Sequence, residues 1–572
     1  MINRLLCCAI TISLLLLTAC QTEQDQADLI LENGKIYTVN PAQQWAEAIA
    51  IKDGRILAVG SKAEVRKFQH DSTEIRDLDG RFVMPGFIEG HGHFSGLGYS
   101  LMNLNFLKSK SWDEIVQMVA ARAQAMPKGK WITGRGWHQE KWTTAPELTH
   151  HGYPDHYSLS ALTPDHPVIL RHASGHSAFA NAKAMEIAGI TKETPDPRGG
   201  HIVRNAQGEP IGVFEETAME LVYAAYNDYL ASLSPTDLQN EWETAIRKAQ
   251  DECLAKGITS FQDAGSTFDE IRDYQRLAES GALDLRLWVM ARTDYNTLAA
   301  NIDSRYPIIE AGSGLFTCRA IKSEVDGALG AFGAWLLEPY ADKPGFVGQN
   351  TTELATVDSI AKLALAHDMQ LCVHAIGDRA NREVLDLFEA HFDSIGEQAD
   401  RRWRIEHSQH LHPADIPRFA ELGVIASMQA IHCTSDAPFV VKRLGEKRAR
   451  EGAYPWRSLL DAGAVVTNGT DAPVEDVDPL PSLYASVTRH RPGTQLVFFP
   501  EQSMTRTEAI HSYTLANAYA AFEESWKGSL EVGKVADLVC LSENLVTCPD
   551  TAILDAQVLW TMVDGEVKWE RE

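Results

Sequence analysis

The sequence has few positive charges for its length. Its 572 residues include 52 lysines and arginines against 78 aspartates and glutamates, which gives a formal net charge of −26. A surface with this balance repels phosphate groups, so nucleic acid and anionic lipid headgroups are excluded as partners. Because no block of like charge forms an acidic tail, we interpret the acidic excess as a contribution to solubility.

Long hydrophobic runs are also missing, apart from one at the N-terminus. The run from Leu5 to Leu17 is too short to span a membrane stably, and small residues follow it. We therefore expect residues 1–19 to be a secretory signal peptide. Its end, LTAC, resembles the bacterial lipobox, which implies cleavage before Cys20 and lipid attachment to that cysteine. Because residue 21 is not aspartate, the resemblance favours, in a Gram-negative cell, the outer membrane facing the periplasm. A plain signal peptide cleaved nearby is the alternative.

Cysteine is scarce, and its spacing excludes a disulfide framework. Three of the nine cysteines lie in the first 20 residues, and the others are Cys253, Cys318, Cys372, Cys433, Cys540 and Cys548. An oxidising compartment permits disulfides. Cys540 and Cys548 are the pair we favour, whereas Cys318 and Cys372 lie in apparent strands, where a buried free thiol is ordinary.

Both ends of the chain consist of short alternating segments separated by turn dipeptides. Residues 28–86 contain Asn33-Gly34, Asp53-Gly54 and Asp79-Gly80, and residues 525–572 contain Asp564-Gly565. Such pairs favour tight β-hairpins. We expect the two ends to form one small composite β-sandwich after a polar tether over residues 20–27, with residues 87–524 inserted between them.

The inserted region contains eight short apolar runs that end in polar residues. They are GFIEGHGH, GITSFQDAG, LRLWVMARTD, CRAIKSEVDG, MQLCVHAIGD, RWRIEHSQH, GVIASMQAIH and AVVTNGTDAP. Helical-period segments separate several of them, a pattern that predicts an α/β fold, the (β/α)8 TIM barrel. About 165 residues separate the first two runs. We therefore predict an inserted subdomain at about residues 97–250.

Two histidines lie one residue apart at the end of the first run, in MPGFIEGHGHF. Residues i and i+2 of a strand point to the same side, so His91 and His93 would present two imidazoles together. Neutral imidazole is a common metal ligand, and a zinc site needs at least one or two more ligands. Solvent-facing histidines are the alternative.

The ends of later runs supply further candidate ligands. They are Lys322, Glu324, His374, His407 with His410 close behind, and Asp471. The C-terminal ends of barrel strands meet at one rim, where barrel enzymes hold their chemistry. Each residue alone is a weak signal, but together they predict a metal site at this rim.

Several motifs resemble those of a known family in order and spacing. They are MPGFIEGHGH, GHSAFAN, IKSEVDGALG, CVHAIGDRAN, RIEHSQHL, GTDAPVEDVDPL and KGSLEVGKVADLVCLS. Through them the chain resembles the amidohydrolase superfamily, specifically its amidohydrolase 3, YtcJ-like branch. The resemblance covers almost the whole chain after the signal segment. It implies a metal-dependent hydrolase with a metal-bearing barrel and a composite β-domain.

The resemblance also implies a ligand set for a divalent metal, with zinc as the expected ion and one or two ions bound. His91 and His93 would bind the more buried ion together with Asp471. His374 and His407 would bind a second ion.

Lys322 would bridge the two ions if it were carbamylated, because carbon dioxide converts this cation into a bidentate anion. Glu324 lies on the same strand face and could supply the bridging carboxylate instead. An unmodified Lys322 would oppose metal binding or pair with Asp326.

Four residues are candidates for contact with a small-molecule substrate. His410 could donate to a substrate oxygen or only face solvent, and His176 could contact substrate or pack in a core. His432, which we place at the end of the seventh strand, would face the same rim. Arg379 could recognise a substrate carboxylate, with an ion pair to Asp378 as the structural alternative.

The expected reaction is hydrolysis. A metal at this rim would lower the pKa of a bound water from near 16 to roughly 7, and the resulting hydroxide would attack a carbonyl carbon. Asp471 would serve as ligand and as general base and acid, or as a ligand alone. We therefore expect cleavage of a non-peptide C–N bond, in an amide or N-acyl group. A deaminase or cyclic-amide hydrolase, an esterase, and a non-catalytic solute- or metal-binding lipoprotein are the alternatives.

Overall fold

The computed structural model of the chain describes residues 26–572, except residues 107, 140–141, 145, 147–149, 151, 173–176, 199, 331 and 396–399. The predicted signal peptide, Cys20 and His176 therefore lie outside the described residues. Two compact units are present: Ser95–Ala249 forms one, and the chain up to Phe94 together with Gln250–Glu572 forms the other. Within the part of the chain that is described, no helix has both the length and the apolar character needed to cross a bilayer.

Eight parallel strands of the larger unit form a nearly closed barrel, which confirms the predicted fold class. They pair in chain order, each with the next. The strands are β1 Phe87–Gly92, β2 Ile258–Ser266, β3 Arg286–Ala291, β4 Phe316–Glu324, β5 Gln370–Ala375, β6 Arg404–His407, β7 Ile425–Met428 and β8 Val466–Asn468. A short strand, Ile308–Glu310, pairs antiparallel with β4.

Hydrogen bonds outside the strand ladder connect β1 with β8. The side-chain amide of Asn517 donates to the carbonyls of Ile88 in β1 (2.7 Å) and Asn468 in β8 (2.9 Å). Just beyond β8, Asp471 N donates to the carbonyl of His91 in β1 at 2.7 Å. The barrel therefore closes through a buried side chain and the loop after β8, and this closure brings the segment around Asp471 beside His91.

Helices follow most of the barrel strands. The helices of this unit are Lys62–Val65, Phe268–Glu279, Tyr295–Asn301, Ala311–Gly314, Leu354–Ala366, Asp378–Ile395, Ile416–Leu422, Ala430–Leu444, Glu446–Gly452, Trp456–Asp461, Pro479–Thr488, Arg506–Ser512, Leu515–Ala520 and Ala552–Asp555. Short 3-10 helices cover Arg66–Phe68, Pro413–Asp415 and Pro500–Gln502. The helix Phe268–Glu279 begins with a capping box between Thr267 and Glu270, and it buries an apolar face that includes Ile271.

Both ends of the chain contribute to a two-sheet β-domain. One sheet has the order Arg55–Gly60, Ala48–Lys52, Leu29–Glu32 and Glu74–Asp77. The other has the order Glu566–Glu570, Val558–Val563, Leu538–Leu541, Phe82–Pro85, Lys35–Tyr37 and Trp45–Ala46. Residues from both sheets, such as Ile49 and Leu538, share one buried core. The composite β-sandwich is thus present as predicted.

A buried ion cluster ties the barrel to this β-domain. Arg286, the first residue of β3, is 2% exposed, and its Nε lies 2.7 Å from Asp537 Oδ2. The same guanidinium also pairs with Asp564 in the C-terminal hairpin turn. A buried guanidinium needs such partners, because an unpaired charge would be costly at this position.

The smaller unit has its own sheet and two buried cores. Its strand order is Gly200–Arg204, Pro210–Glu216, Ser177–Ala180, Val168–His172, Ile132–Trp137 and Leu104–Asn105. Its helices are Trp112–Ala125, Tyr157–Leu162, Ala182–Ile187 and Met219–Ser232, while Phe94–Met102 and Pro235–Ala255 run across the boundary between the units. Adjacent strand residues Ile169 and Leu170 belong to different cores, so both faces of the sheet are covered.

Two expectations from the sequence are wrong. Cys540 and Cys548 are both free, because Cys540 is buried inside a strand and the Cys548 sulfur instead accepts from Arg506 Nη1 at 3.5 Å. His432 does not end the seventh barrel strand. That strand stops at Met428, and His432 lies in the first turn of the helix Ala430–Leu444.

Candidate metal centre

Three side chains from distant parts of the chain meet at the C-terminal rim of the barrel. His91 is the last residue but one of β1, His407 ends β6, and Asp471 follows β8. One ligand atom from each lies within 4.8 Å of the others. All three residues are buried. The backbones of His407 (φ 76°) and Asp471 (φ 58°) are in the left-handed region, which non-glycine residues seldom adopt. The fold thus holds these two residues in costly conformations that direct them to one point.

Hydrogen bonds on the outer side of two imidazoles determine which nitrogen faces the cluster. His91 Nδ1 donates to the carboxylate of Glu406, and His407 Nδ1 donates to Gln429 Oε1 at 2.7 Å. In a neutral imidazole only one nitrogen carries a proton, so Nε2 of each ring keeps its lone pair. Such remote partners fix the tautomer of metal-binding histidines. His91 and His407 are therefore prepared to act as Nε2 ligands.

Glu406 is held by a buried arginine inside the barrel, and the sequence analysis missed both residues. The Arg404 Nε atom lies 2.7 Å from Glu406 Oε1, and both side chains are fully buried. Arg404 Nη2 also donates to the carbonyl of Gly90 and the hydroxyl of Ser427, both at 2.8 Å. The signal available in RWRIEHSQH was the i, i+2 spacing of an arginine and a glutamate on one face of a strand.

His93 and His374 lie at the edges of the same cluster. His93 follows the last residue of β1, and its Nε2 lies 3.3 Å from Asp471 Oδ1. The rings of His374 and His407 have centroids 4.4 Å apart. His374 Nε2 is buried, has no hydrogen-bond partner in the described part of the chain and lies 3.6 Å from Asp326 Oδ1. Four predicted histidine ligands and Asp471 are thus brought together.

The two candidate bridging residues have different surroundings. Lys322 is 4% exposed within β4, and electrostatic interactions link it to Glu406 and Asp471. Glu324, at the end of the same strand, is partly exposed and pairs with Arg292 Nη2 at 2.5 Å. Asp326 accepts three backbone N–H groups, from Trp335, Ile376 and Gly377. Its carboxylate is therefore occupied by backbone rather than by Lys322.

Burial keeps the imidazoles of His91, His374 and His407 neutral. Burial and the neighbouring Lys322 lower the pKa of His91 to about 4 and that of His374 to about 3. Burial, with His374 nearby, also lowers the pKa of His407 well below its usual value. For Asp471, burial favours the protonated form, but contacts with His93 and His91 outweigh it and hold the pKa well below its usual range. Metal binding requires neutral imidazoles and an ionised carboxylate, and these are the ionisation states found here.

The other described residues predicted to contact substrate, His432, His410 and Arg379, have different surroundings. His432 stacks beside His407, with ring centroids 6.4 Å apart. His410 is 2% exposed and does not face solvent, and burial lowers its pKa to about 3. Neither of its ring nitrogens has a hydrogen-bond partner among the residues that the structure describes. Arg379 is the second residue of the helix Asp378–Ile395, stacks on Trp335 at 4.5 Å and contacts Glu383.

The donor set suits a divalent cation. His91 Nε2 and Asp471 Oδ1 are buried and 3.6 Å apart, yet neither has a hydrogen-bond partner among the residues described. Buried polar atoms are normally paired, so two such atoms facing each other require an explanation. Imidazole nitrogens and a carboxylate oxygen are the ligands found in catalytic zinc sites.

Comparison with known proteins agrees with this geometry. The sequence profile of the amidohydrolase family matches residues 74–568, which is most of the chain. The chain belongs to the amidohydrolase family. This amidohydrolase is 30% identical to the putative amidohydrolase YtcJ of Bacillus subtilis over 551 residues, covering 95% of this chain and 99% of YtcJ. The predicted branch of the family is thereby confirmed, and the protein is a hydrolase by family.

Two further relatives bear on fold and chemistry. This amidohydrolase is 29% identical to the N-substituted formamide deformylase of Arthrobacter pascens, covering 95% of this chain and 98% of that protein. The crystal structure of an uncharacterized metal-dependent hydrolase from Pyrococcus horikoshii OT3 has a TM-score of 0.71 at 26% identity, and covers 91% of this chain and 99% of that one. The likeness therefore extends over both the barrel and the β-domain.

Proposed function

We propose that this amidohydrolase uses a divalent metal to hydrolyse a non-peptide C–N bond, in an amide or N-acyl group. The observation that carries the proposal is the convergence of His91, His407 and Asp471, with ligand atoms within 4.8 Å of one another. These three residues would hold the ion, with His93 and His374 beside them. Zinc is the expected ion, since nitrogen and carboxylate ligands suit it.

A bound divalent cation supplies Lewis acidity, which makes a water acidic and polarises a carbonyl. Asp471 accepts the proton of the attacking water, because its carboxylate is ionised and lies within the cluster. The new C–O bond forms as the C–N bond breaks, and Asp471 returns the proton to the departing nitrogen. The products are a carboxylic acid and an amine, which together contain the atoms of the amide and one water.

Among C–N substrates, N-formyl and N-acyl amines are our first choice. The support is the 29% identity with a protein named N-substituted formamide deformylase over nearly the whole chain. The alternatives are deamination and hydrolysis of a cyclic amide, which need the same activated water. None of these substrate classes requires a change in the ligand set.

Metal analysis and a substrate panel test the proposal together. The purified protein is first analysed for bound metal, then assayed on N-formyl amines, N-acetyl amines, cyclic amides, aminopurines and esters matched to the amides. We expect bound zinc and release of free amine that stops after chelation and resumes on adding zinc. Turnover of esters alone would identify an esterase. Bound metal with no turnover of any compound would favour a binding lipoprotein.

We also propose that the mature protein is anchored to the bacterial outer membrane by a lipid on Cys20. The support is the LTAC sequence after a short apolar run. Growth with labelled fatty acid should label the wild-type protein, and Cys20→Ser should remain unlabelled. Equal release of both proteins into the soluble envelope fraction would contradict the anchor.

A further inference from the structure

One imidazole beside the cluster has a free N–H whose position is set by a hydrogen bond. His432 is 7% exposed, and its Nδ1 accepts from the side-chain amide of Gln409 at 3.1 Å. A neutral imidazole that accepts at Nδ1 carries its proton on Nε2. That Nε2 atom is buried and has no hydrogen-bond partner among the described residues. A buried donor without a partner is costly unless something else accepts from it.

His432 lies next to the side chains assigned to the metal. Its ring is nearly parallel to that of His407, with 15° between the planes and 6.4 Å between the centroids. It also interacts electrostatically with Asp471. The His432 ring therefore borders the cluster on the side of His407.

Two other buried groups nearby are less suited to donate. The hydroxyl of Tyr454 is already bonded to Asp436 Oδ2 at 2.6 Å. His410 has no described residue as a partner at either ring nitrogen, so no described contact decides which nitrogen holds the proton. The Tyr454 hydroxyl is therefore occupied, and the tautomer of His410 is not fixed. Of the three groups, only His432 has an N–H that is free to donate and whose position on the ring is fixed.

We propose that His432 Nε2–H donates a hydrogen bond to the substrate carbonyl oxygen and stabilises the negative charge that develops there as water attacks. Gln409 is a positioning residue, because it keeps the proton of His432 on Nε2. This inference rests on the proposed function and deepens it, since it assigns the substrate an uncharged carbonyl oxygen at the His432 side of the centre. Pre-oriented donors of this kind are worth about 10²- to 10³-fold in kcat.

The test compares His432→Phe and His432→Gln with the wild-type zinc-loaded protein, using N-benzylformamide and its matched formate ester. His432→Phe should lower kcat by about 10²- to 10³-fold with little change in KM and no loss of zinc. His432→Gln, which retains an N–H donor, should recover much of that loss. The control is His511→Phe, because His511 is an exposed histidine on another helix, outside the cluster.

Three kinetic results would overturn the assignment. A kcat for His432→Phe within about threefold of wild type would mean that no charge is stabilised there. A rise in KM alone would indicate ordinary ground-state binding. Loss of zinc from His432→Phe, but not from His511→Phe, would make His432 part of the metal site.

A second readout does not depend on turnover. NMR of protein labelled with ¹⁵N-histidine reports which ring nitrogen carries the proton. The signals of His432 are those that disappear in His432→Gln, and they should show a neutral ring protonated at Nε2. In Gln409→Leu, both tautomers of His432 should be populated. A proton on Nδ1 in the wild type would overturn the proposal. If N-benzylformamide is inert but the ester reacts, only the C–N assignment fails, and the kinetic test continues on the ester. If neither compound reacts, the tautomer measurement decides alone.

Discussion

The chemistry of the centre depends on which nitrogen of each imidazole carries a proton. Partners behind His91 and His407 hold the protons on Nδ1, so that Nε2 is free to coordinate. The partner of His91 is a carboxylate whose charge is balanced by Arg404. The ligand residues therefore depend on a layer of buried polar groups below the rim.

We predict that Glu406→Gln weakens zinc binding about 10- to 100-fold, because a neutral amide holds the His91 tautomer less firmly than a carboxylate. Competition with a chelating dye measures the affinity. Glu421→Gln, an exposed change on the helix Ile416–Leu422, should leave it unaltered. Equal zinc affinity in Glu406→Gln and wild type would contradict a role for this carboxylate.

Sequence reasoning identified the ligand histidines because each stands at the end of an apolar run. It did not find Glu406 or Gln429. The spacing of Arg404 and Glu406 shows that they share a strand face, but not that Glu406 faces His91, and Gln429 lies in a loop where no spacing rule applies. His432 was assigned to a strand because IASMQAIH is a short, mainly apolar run that ends in a polar residue. Periodicity does not separate a buried strand from the start of a helix in so short a segment.

At the level of elements, the barrel is closed by side chains where its strand ladder ends. Asn517, which is fully buried, donates to β1 and to β8 with the same amide group. All eight barrel strands were predicted, because their apolar runs are bounded by turn signals. The closing contact was not, since it comes from one asparagine in a helical segment remote from both strands.

We predict that Asn517→Leu lowers the free energy of unfolding by about 2–4 kcal/mol, since two buried carbonyls lose their donor. Urea unfolding monitored by tryptophan fluorescence measures the change. Asn301→Leu is the matched control, because that amide donates to one carbonyl of its own helix, and it should cost much less. A similar loss of stability in both variants would show that the closure between β1 and β8 does not depend on Asn517.

A second prediction concerns the junction between β3 and the β-domain. Arg286→Met should destabilise the protein by about 3–5 kcal/mol, because Asp537 is left buried without its partner. The double variant Arg286→Met/Asp537→Leu should recover a large part of the loss, again by urea unfolding. If the double variant is no more stable than the single one, the unpaired charge is not the cause.

For the whole molecule, the proposed metal connects segments that are far apart in sequence. His91, His407 and Asp471 belong to β1, to β6 and to the loop after β8. A ligand that binds only the folded state adds to stability according to its free concentration. The overall architecture followed from the sequence, but substrate identity did not, because the pocket is shaped by loops whose contacts no pattern reveals.

Removing the metal should therefore lower the melting temperature. At free zinc about 1,000 times the dissociation constant, binding contributes about 4 kcal/mol, which chelation removes. Asp471→Asn should show a much smaller effect of chelation, whereas His511→Phe should respond as the wild type does. Identical melting curves with and without chelator would contradict a metal bound in the folded state.

The most direct measurement is anomalous scattering at the zinc edge from crystals of the zinc-loaded protein. The account predicts a peak about 2.0–2.2 Å from His91 Nε2 and from the Asp471 carboxylate. The same map would show whether a second ion binds near His374 and whether Lys322 carries a carbamate. A peak elsewhere, with His91 and Asp471 uncoordinated at full zinc occupancy, would contradict the central claim that these side chains form a metal centre.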